Sequence, residues 1–362
     1  MGKSKILFYF SILLFVLATA QLVYGLYNKA TFMDYYAYYG AGEVFRGGLS
    51  PYPLVYNSPT GNLLFIYPPG SLLYLFGPIS ILPFNYSLIL LLLASYIFFV
   101  VAIFLTFELL DKKVPLYYKF IITALLVQTL PLKFCLASGQ INIFVLFFAV
   151  LSLYLLKHKK EGFSALSMAI ATTFKLFPLV LIPLYLLKKK FRWVFLFSFF
   201  LLVINIFDPV LLKEYVEKIA VFLFAPAQAT VNISNPWNQS ISKLFKTIFG
   251  EVSIPYFAYI IGGILYLLIV FTKRSEKLVK KSVVLLSLAS ILFKISWQHY
   301  LILNYPFIIL YYRKLKYFIP IWVILIISFN YGDKLLTSYP LISSYQVILI
   351  LILLGKYLYD RK

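Results

Sequence analysis

Residues 87–110 read SLILLLLASYIFFVVAIFLTFELL. The run is longer than the ~20 apolar residues a helix needs to cross a bilayer. The rest of the chain resembles it. Of 362 residues, 62% are hydrophobic and 12% charged, with a mean hydropathy of +0.90. A soluble chain of this length needs a larger charged skin, and lipid removes that need. Apolar runs long enough for helices recur from end to end. The segments of about ten alternating residues that mark an outer-membrane barrel are not visible. The expectation is a single all-α integral membrane domain over residues 1–362, with about twelve membrane helices.

The net charge of +21 does not point to nucleic acid. Most of the 33 basic residues sit in short clusters between apolar runs. The clusters are Lys3/Lys5, Lys112/Lys113/Lys119, Lys157/Lys159/Lys160, Lys188 to Arg192, Lys273 to Lys281, Arg313/Lys314/Lys316 and Lys356/Arg361/Lys362. Such clusters mark cytoplasmic loops. Both termini are therefore expected in the cytoplasm of a multi-pass cell-membrane protein. Cys135 is the only cysteine, so no internal disulfide can form. Ala18-Thr19-Ala20 resembles a signal-peptidase site, but the apolar stretch continues to Tyr24. An uncleaved first helix, Lys5 to Tyr24, is expected.

This orientation requires two runs to leave the cytoplasm and return. Gly162 to Leu187 is interrupted at Lys175-Leu176-Phe177-Pro178, and Ser282 to Tyr312 around Trp297-Gln298-His299. Each half has roughly 12 to 17 residues, too few for a full span. Paired short helices need protein or a cavity at their ends, so an outer cavity is expected. Ser87 to Leu110, Pro115 to Leu132, Ile141 to Leu156, Trp193 to Phe207, Ile254 to Phe271, Tyr317 to Phe329 and Leu341 to Leu354 read as further helices. Outer segments are placed at about residues 27–66 and 208–250. The first holds a juxtamembrane helix from Tyr35 to Phe45. Tyr67 to Phe84 is cut by Pro68, Pro69, Pro78 and Pro83 and reads as re-entrant or short, not as a full span.

Unusual polar residues map to the outer side: Asp34, Glu43, Lys133, Gln140, Lys175, Asp208, Trp237 to Gln239, Lys294, Gln298 and His299. An intramembrane charge costs at least ~2.5 kcal/mol at mid-bilayer, so this convergence suggests a polar cavity. Asp34 is the first acid in the chain. It can be a solvated loop acid, a helix N-cap, or a general base at the membrane surface. Glu43 lies nine residues on, about 180° around the same helix, which disfavours a carboxylate pair. Lys175 and Lys294 each lie at an outer helix end. Snorkelling explains either alone, whereas two lysines and His299 together suit a phosphate. No metal-ligand spacing is visible, and Gly40-Ala41-Gly42 and Gly47-Gly48 follow no strand, so no nucleotide loop is read.

The order of motifs resembles the polyprenol-phosphate-sugar-dependent glycosyltransferases of the GT-C superfamily, family 87 type, which includes bacterial α-1,2-mannosyltransferases. The matching pieces are Asp34 with Tyr38, Gly40 and Gly42; Gly48-x-x-Pro51-Tyr52; Tyr67-Pro68-Pro69; Leu82-Pro83-Phe84; Gly139-Gln140-x-Asn142; Lys175-Leu176-Phe177-Pro178; Asn238-Gln239-Ser240; and Trp297-x-His299-Tyr300 before Pro306. The Asp-x-Asp of some related mannosyltransferases is absent. The resemblance implies inverting transfer of a hexose, mannose by family expectation, from a polyprenyl-phosphate donor to a glycan or glycolipid hydroxyl on the non-cytoplasmic face. Asp34 would be the base. Lys175, Lys294 and His299 would hold the donor phosphate. Glu43, Tyr38, Tyr67, Gln140, Asn142, Asn238, Gln239, Trp297 and Gln298 would line the pocket. No cofactor, metal or nucleic acid is implied. A transporter or flippase of lipid-linked saccharides would also account for broken helices around a cavity. It calls for inverted repeats, which the sequence does not display.

Overall fold

The computed structural model describes residues 3–52, 54–59, 61–110, 114–220, 238–250, 254–272, 277–292, 296–311, 315–330 and 344–359. Lys294 and Trp237 lie outside them. Helix α1 is Lys3–Lys29 and α2 is Met33–Arg46. Two short helices follow, α3 Pro69–Ser71 and α4 Gly77–Ile79, joined by a π-helical turn Leu72–Phe76. Then come α5 Phe84–Leu110, α6 Leu116–Val127, α7 Leu130–Ala137, α8 Asn142–Lys157, α9 Glu161–Phe174, α10 Leu181–Leu187, α11 Phe191–Asn205 and α12 Pro209–Glu214. Past the undescribed residues 221–237 lie α13 Ile241–Phe249, α14 Ile254–Thr272, α15 Leu278–Leu292, α16 Tyr305–Ile309, α17 Leu315–Asn330 and α18 Tyr345–Tyr359.

Two of these helices are long and apolar enough to cross a membrane alone, α1 from Ser4 and α5. The bent pairs α6–α7 (63°) and α11 with Pro209–Ile219 (108°) bring the candidates to four. The chain is thus an α-helical membrane protein. The expected count of about twelve includes short paired helices, which among the described residues fall below this length. Several of the other helices are short and apolar, including α8, α18 and Tyr259–Phe271.

Both expected breaks occur. α9 ends at Phe174, Lys175 turns extended (φ −156, ψ 139), and a 3-10 turn Phe177–Val180 leads into α10. A continuous helix would drive the Pro178 ring into the carbonyl of Phe174. In the second pair Trp297 is extended, and a 3-10 segment Gln298–Asn304 precedes α16. At 1.5 Å per residue, the 14 residues of α9 rise about 21 Å, short of the ~30 Å hydrocarbon core.

Three expectations change. α1 runs on to Lys29 instead of ending at Tyr24: the helix tolerates the single Gly25, no proline follows it before Lys29, and the Asn28 amide donates back to the Tyr24 carbonyl at 2.7 Å. The expected span Pro115 to Leu132 bends at Gln128-Thr129. There Pro131 forbids the hydrogen bond back to Val127 that a straight helix requires. The all-α reading omits an antiparallel hairpin, β1 Val55–Ser58 with β2 Gly61–Leu64. Its Tyr56 lies on α2 at Gly40, where a Cβ would meet the ring at 2.6 Å. The stretch from Pro69 to Ile79 is helical throughout, with a π-helical middle, and at 1.5 Å per residue it rises about 16 Å, short of the ~30 Å hydrocarbon core.

The core joins α5, α8, α9 and α11, with α1 packed along α6. Asn205 of α11 ties the layers. It accepts from Gly70 N at 3.0 Å and donates to Thr173 Oγ1 at 3.1 Å.

Candidate active site

Two helix ends meet at the site. α7 closes in a left-handed turn at Gly139 (φ +73). Gln140 N donates to Cys135 O at 2.8 Å and Gly139 N to Leu136 O at 3.1 Å, which is a Schellman ending. The carbonyls of Ala137 and Ser138 stay free of that motif. They accept instead from the start of α2: Phe32 N to Ala137 O at 2.8 Å and Asp34 N to Ser138 O at 3.0 Å. The orphan acceptors of one helix thus satisfy orphan donors of another. Gly139 permits the approach, since a Cβ there would sit 2.7 Å from Tyr35 Cβ.

Asp34 is therefore neither a solvated loop acid nor an N-cap. The cap position is Phe32, in left-handed conformation (φ 48) without a side-chain bond, and Asp34 lies in the first helical turn. Its Oδ2 is buried with no hydrogen-bond partner. Burial pushes the carboxyl above the usual carboxylate range, while the Gln140 amide, the Lys175 charge and Ser138 act in the opposite direction. Desolvation of the charged form wins. Beside Asp34 lies a polar knot. Tyr38 and Tyr67 hydroxyls are 2.5 Å apart, Tyr38 donates to Gln140 Oε1 at 2.9 Å, and Tyr67 reaches the same oxygen at 3.4 Å.

Lys175 enters from the break after α9. Its Nζ is buried and makes no hydrogen bond. It stands 3.8 Å from the Tyr300 ring centre, 5.5 Å from Tyr67 and 6.0 Å from Phe177. Aromatic faces attract the ammonium without using its three N–H donors. Asp34 is within its electrostatic reach, yet the two form no ion pair. His299 stacks on Phe134 of α7 (5.7 Å, 6°) and meets the Tyr300 ring edge-on at 4.8 Å. Both its ring nitrogens are buried without partners, as are the side-chain amides of Asn142 and Gln298. Buried polar atoms are nearly always paired. Unpaired ones gathered around two helix breaks are the chemistry of a binding site.

The fold thus brings Asp34, Tyr38, Tyr67, Gln140, Lys175 and His299 together. Asn142 begins α8 just beyond the Gly139 turn, and Gln298 precedes His299. Glu43 is not brought in: it lies on the exposed side of α2, beside Tyr39. Asn238, Gln239 and Trp297 serve as a backbone clasp. Asn238 pairs with Trp297 as an isolated antiparallel bridge, Ser296 N donates to Asn238 Oδ1 at 2.9 Å, and Gln239 N donates to Ser296 O. The clasp holds the second break against the start of α13. Asp208 has another job, capping α12 by accepting from Leu211 N at 3.0 Å. Sequence reading did not nominate Tyr300, Phe134, Phe177 or Ser138 as site residues. Tyr300 and Phe177 stood inside quoted motifs. Their role as ring walls around a cation has no signature in one dimension.

A model of glycosyltransferase family 87 matches residues 65–294. No curated protein and no solved structure matches the chain. The matched stretch carries Tyr67, Gln140, Asn142, Lys175, Asn238 and Gln239, and the fold adds Asp34 and His299 from either side of it. The match covers well over half of the sequence, and the chain is a membrane glycosyltransferase that belongs to glycosyltransferase family 87.

Proposed function

We propose that the protein transfers a hexose, with mannose as the first candidate, from a polyprenyl-phosphate donor to a hydroxyl of a glycan or glycolipid, on the non-cytoplasmic face and with inversion. One observation carries the reading. A buried carboxylate oxygen without a partner and a buried ammonium without a hydrogen bond share one site and do not pair with each other. A base and a phosphate holder on two sides of a substrate need that separation.

In this reading Asp34 Oδ2 takes the proton of the acceptor hydroxyl. The acceptor oxygen forms a bond to the anomeric carbon, and the bond from that carbon to the phosphate oxygen breaks. The electron pair leaves with polyprenyl phosphate. Its growing charge meets Lys175, with His299 adjacent, and a preorganised cation in a dry site stabilises it strongly. The phosphate departs as a stable anion, so no general acid is required. Asn142 and Gln298, each with a donor and an acceptor, match the paired demands of sugar hydroxyls.

The test is initial-rate transfer from polyprenyl-phosphate mannose by the full chain in nanodiscs. Asp34→Asn should slow turnover on the order of 10²–10⁴-fold, the usual share of a general base. Lys175→Met keeps the stem inside the ring cage and removes the charge; donor KM should rise about tenfold or more, the scale of one charge-assisted contact. Wild-type turnover in Asp34→Asn would sink the base assignment. Unchanged donor dependence in Lys175→Met would remove it from the phosphate.

A further inference from the structure

We propose that Gln140 is a positioning residue for Asp34: the Tyr38 and Tyr67 hydroxyls fix its side-chain amide so that the N–H end faces the carboxylate and Oδ2 is left turned to the acceptor. The inference rests on reading Asp34 as the base. Its grounds are geometric. Gln140 Oε1 accepts from Tyr38 at 2.9 Å and lies 3.4 Å from the Tyr67 hydroxyl. Asp34 is tied to the same turn, its N donating to Ser138 O at 3.0 Å two residues before Gln140, and it lies one helical turn before Tyr38, so with the oxygen held toward the tyrosines the amide nitrogen is the end of Gln140 left for the carboxylate. Gln140 cannot swing aside. Its N donates to Cys135 O, its own carbonyl accepts from Cys135 Sγ at 3.4 Å, and its side chain is buried. Tyr67 is itself held, because the Tyr52 hydroxyl donates to its carbonyl.

Ser138 is the weaker of the two neutral neighbours of Asp34. It favours the charged form as well, but after Gln140 and Lys175, and its single hydroxyl hydrogen is also within reach of Phe134 O at 2.9 Å and Cys135 O at 3.4 Å. The other titratable groups facing Asp34 are Tyr38, Tyr67, Cys135, Lys175 and Tyr300. Lys175 is the one cation among them, and it forms no ion pair with Asp34. Gln140, the larger of the two neutral influences, is the donor assigned to the charged base.

The experiment follows transfer from polyprenyl-phosphate mannose against pH in wild type, Gln140→Leu, and the Tyr38→Phe/Tyr67→Phe double variant. A second readout needs no turnover: the infrared C=O band of protonated Asp34, isolated by subtracting Asp34→Asn. Gln140→Leu should move the acid limb of the rate profile and the band titration to higher pH. Turnover at neutral pH should fall about tenfold, one charge-assisted hydrogen bond, with donor KM within about twofold, as for an interaction made only in the transition state. The double variant keeps Gln140 but frees its amide, and should shift both readouts the same way by less. A higher donor KM with an unmoved limb would make Gln140 a substrate contact and overturn the proposal. If Gln140→Leu does not fold, unmoved readouts in the folded double variant overturn it equally. A fully active Asp34→Asn instead ends the base reading itself, whatever the Gln140 variants do.

Discussion

Asp34 sits where burial opposes its charge, and that has a cost visible without substrate. A carboxyl whose folded pKa lies above its unfolded value is destabilising wherever the unfolded chain ionises it freely. Direction follows from sign. Burial makes the charged form of Asp34 costly at neutral pH, and Asp34→Asn removes that cost while keeping the size and shape of the side chain. The variant should be more stable than wild type at neutral pH by on the order of 1 kcal/mol, a common margin when a functional group is neutralised. The gain should start to shrink as pH falls below the raised pKa and vanish only below the ordinary carboxylate value, where the unfolded wild-type chain is neutral too. Thermal unfolding of both proteins across that range checks the point, and an advantage that persists in acid would contradict it. Asp34 was legible in the sequence as the first acid of the chain, mapped to the outer side. That it is sealed by a second helix end was not, because Ala137 and Ser138 lie a hundred residues away and announce nothing about their carbonyls.

At the level of elements, prolines were the readable signals and close approaches were not. Pro178 forces the break that delivers Lys175, so that break could be placed from sequence. Pro131 does the same to α6–α7, but the apolar run around it hides the bend. The hairpin was missed because its two four-residue strands carry no long alternation, and its packing depends on a bare Gly40 surface in α2. Glycine at 139 shows what such approaches are worth. Gly48 and Gly139 have nearly the same left-handed φ, +75 and +73. A Cβ at Gly48 would meet nothing within 4 Å, whereas at Gly139 it would sit 2.7 Å from Tyr35 Cβ. Gly48→Ala should cost about 1 kcal/mol of backbone strain. Gly139→Ala should cost about 2 kcal/mol more, the penalty of overpacking, and should slow transfer by pushing α2 and Asp34 off the Ser138 carbonyl. Equal unfolding midpoints for the two variants would mean that the α2–α7 contact is not tight.

For the whole molecule, α8 and α9 give the site a fixed position relative to the basic loops. α8 starts at Asn142 beside the site and ends at Lys157, and α9 returns from Glu161 to Phe174, next to Lys175. Lys157, Lys159 and Lys160 therefore lie at the opposite end of both helices from the site, about 21 Å away along the helix axis. Lys190 pairs with Glu161 at 2.8 Å and belongs to the same end. Basic residues collect on the cytoplasmic side of membrane proteins, which supports the proposal of a non-cytoplasmic site and makes it testable. Cys135 is fully buried and makes a silent background for labelling. Asn57→Cys, exposed on the hairpin that packs against α2, should react with a membrane-impermeant maleimide in intact cells. His158→Cys, exposed in the basic loop, should react only after the membrane is opened. The reverse pattern would turn the protein over and put its site beside the cytoplasmic pool of nucleotide sugars. Labelling of both positions in intact cells would mean that the two loops do not lie on opposite sides of the bilayer.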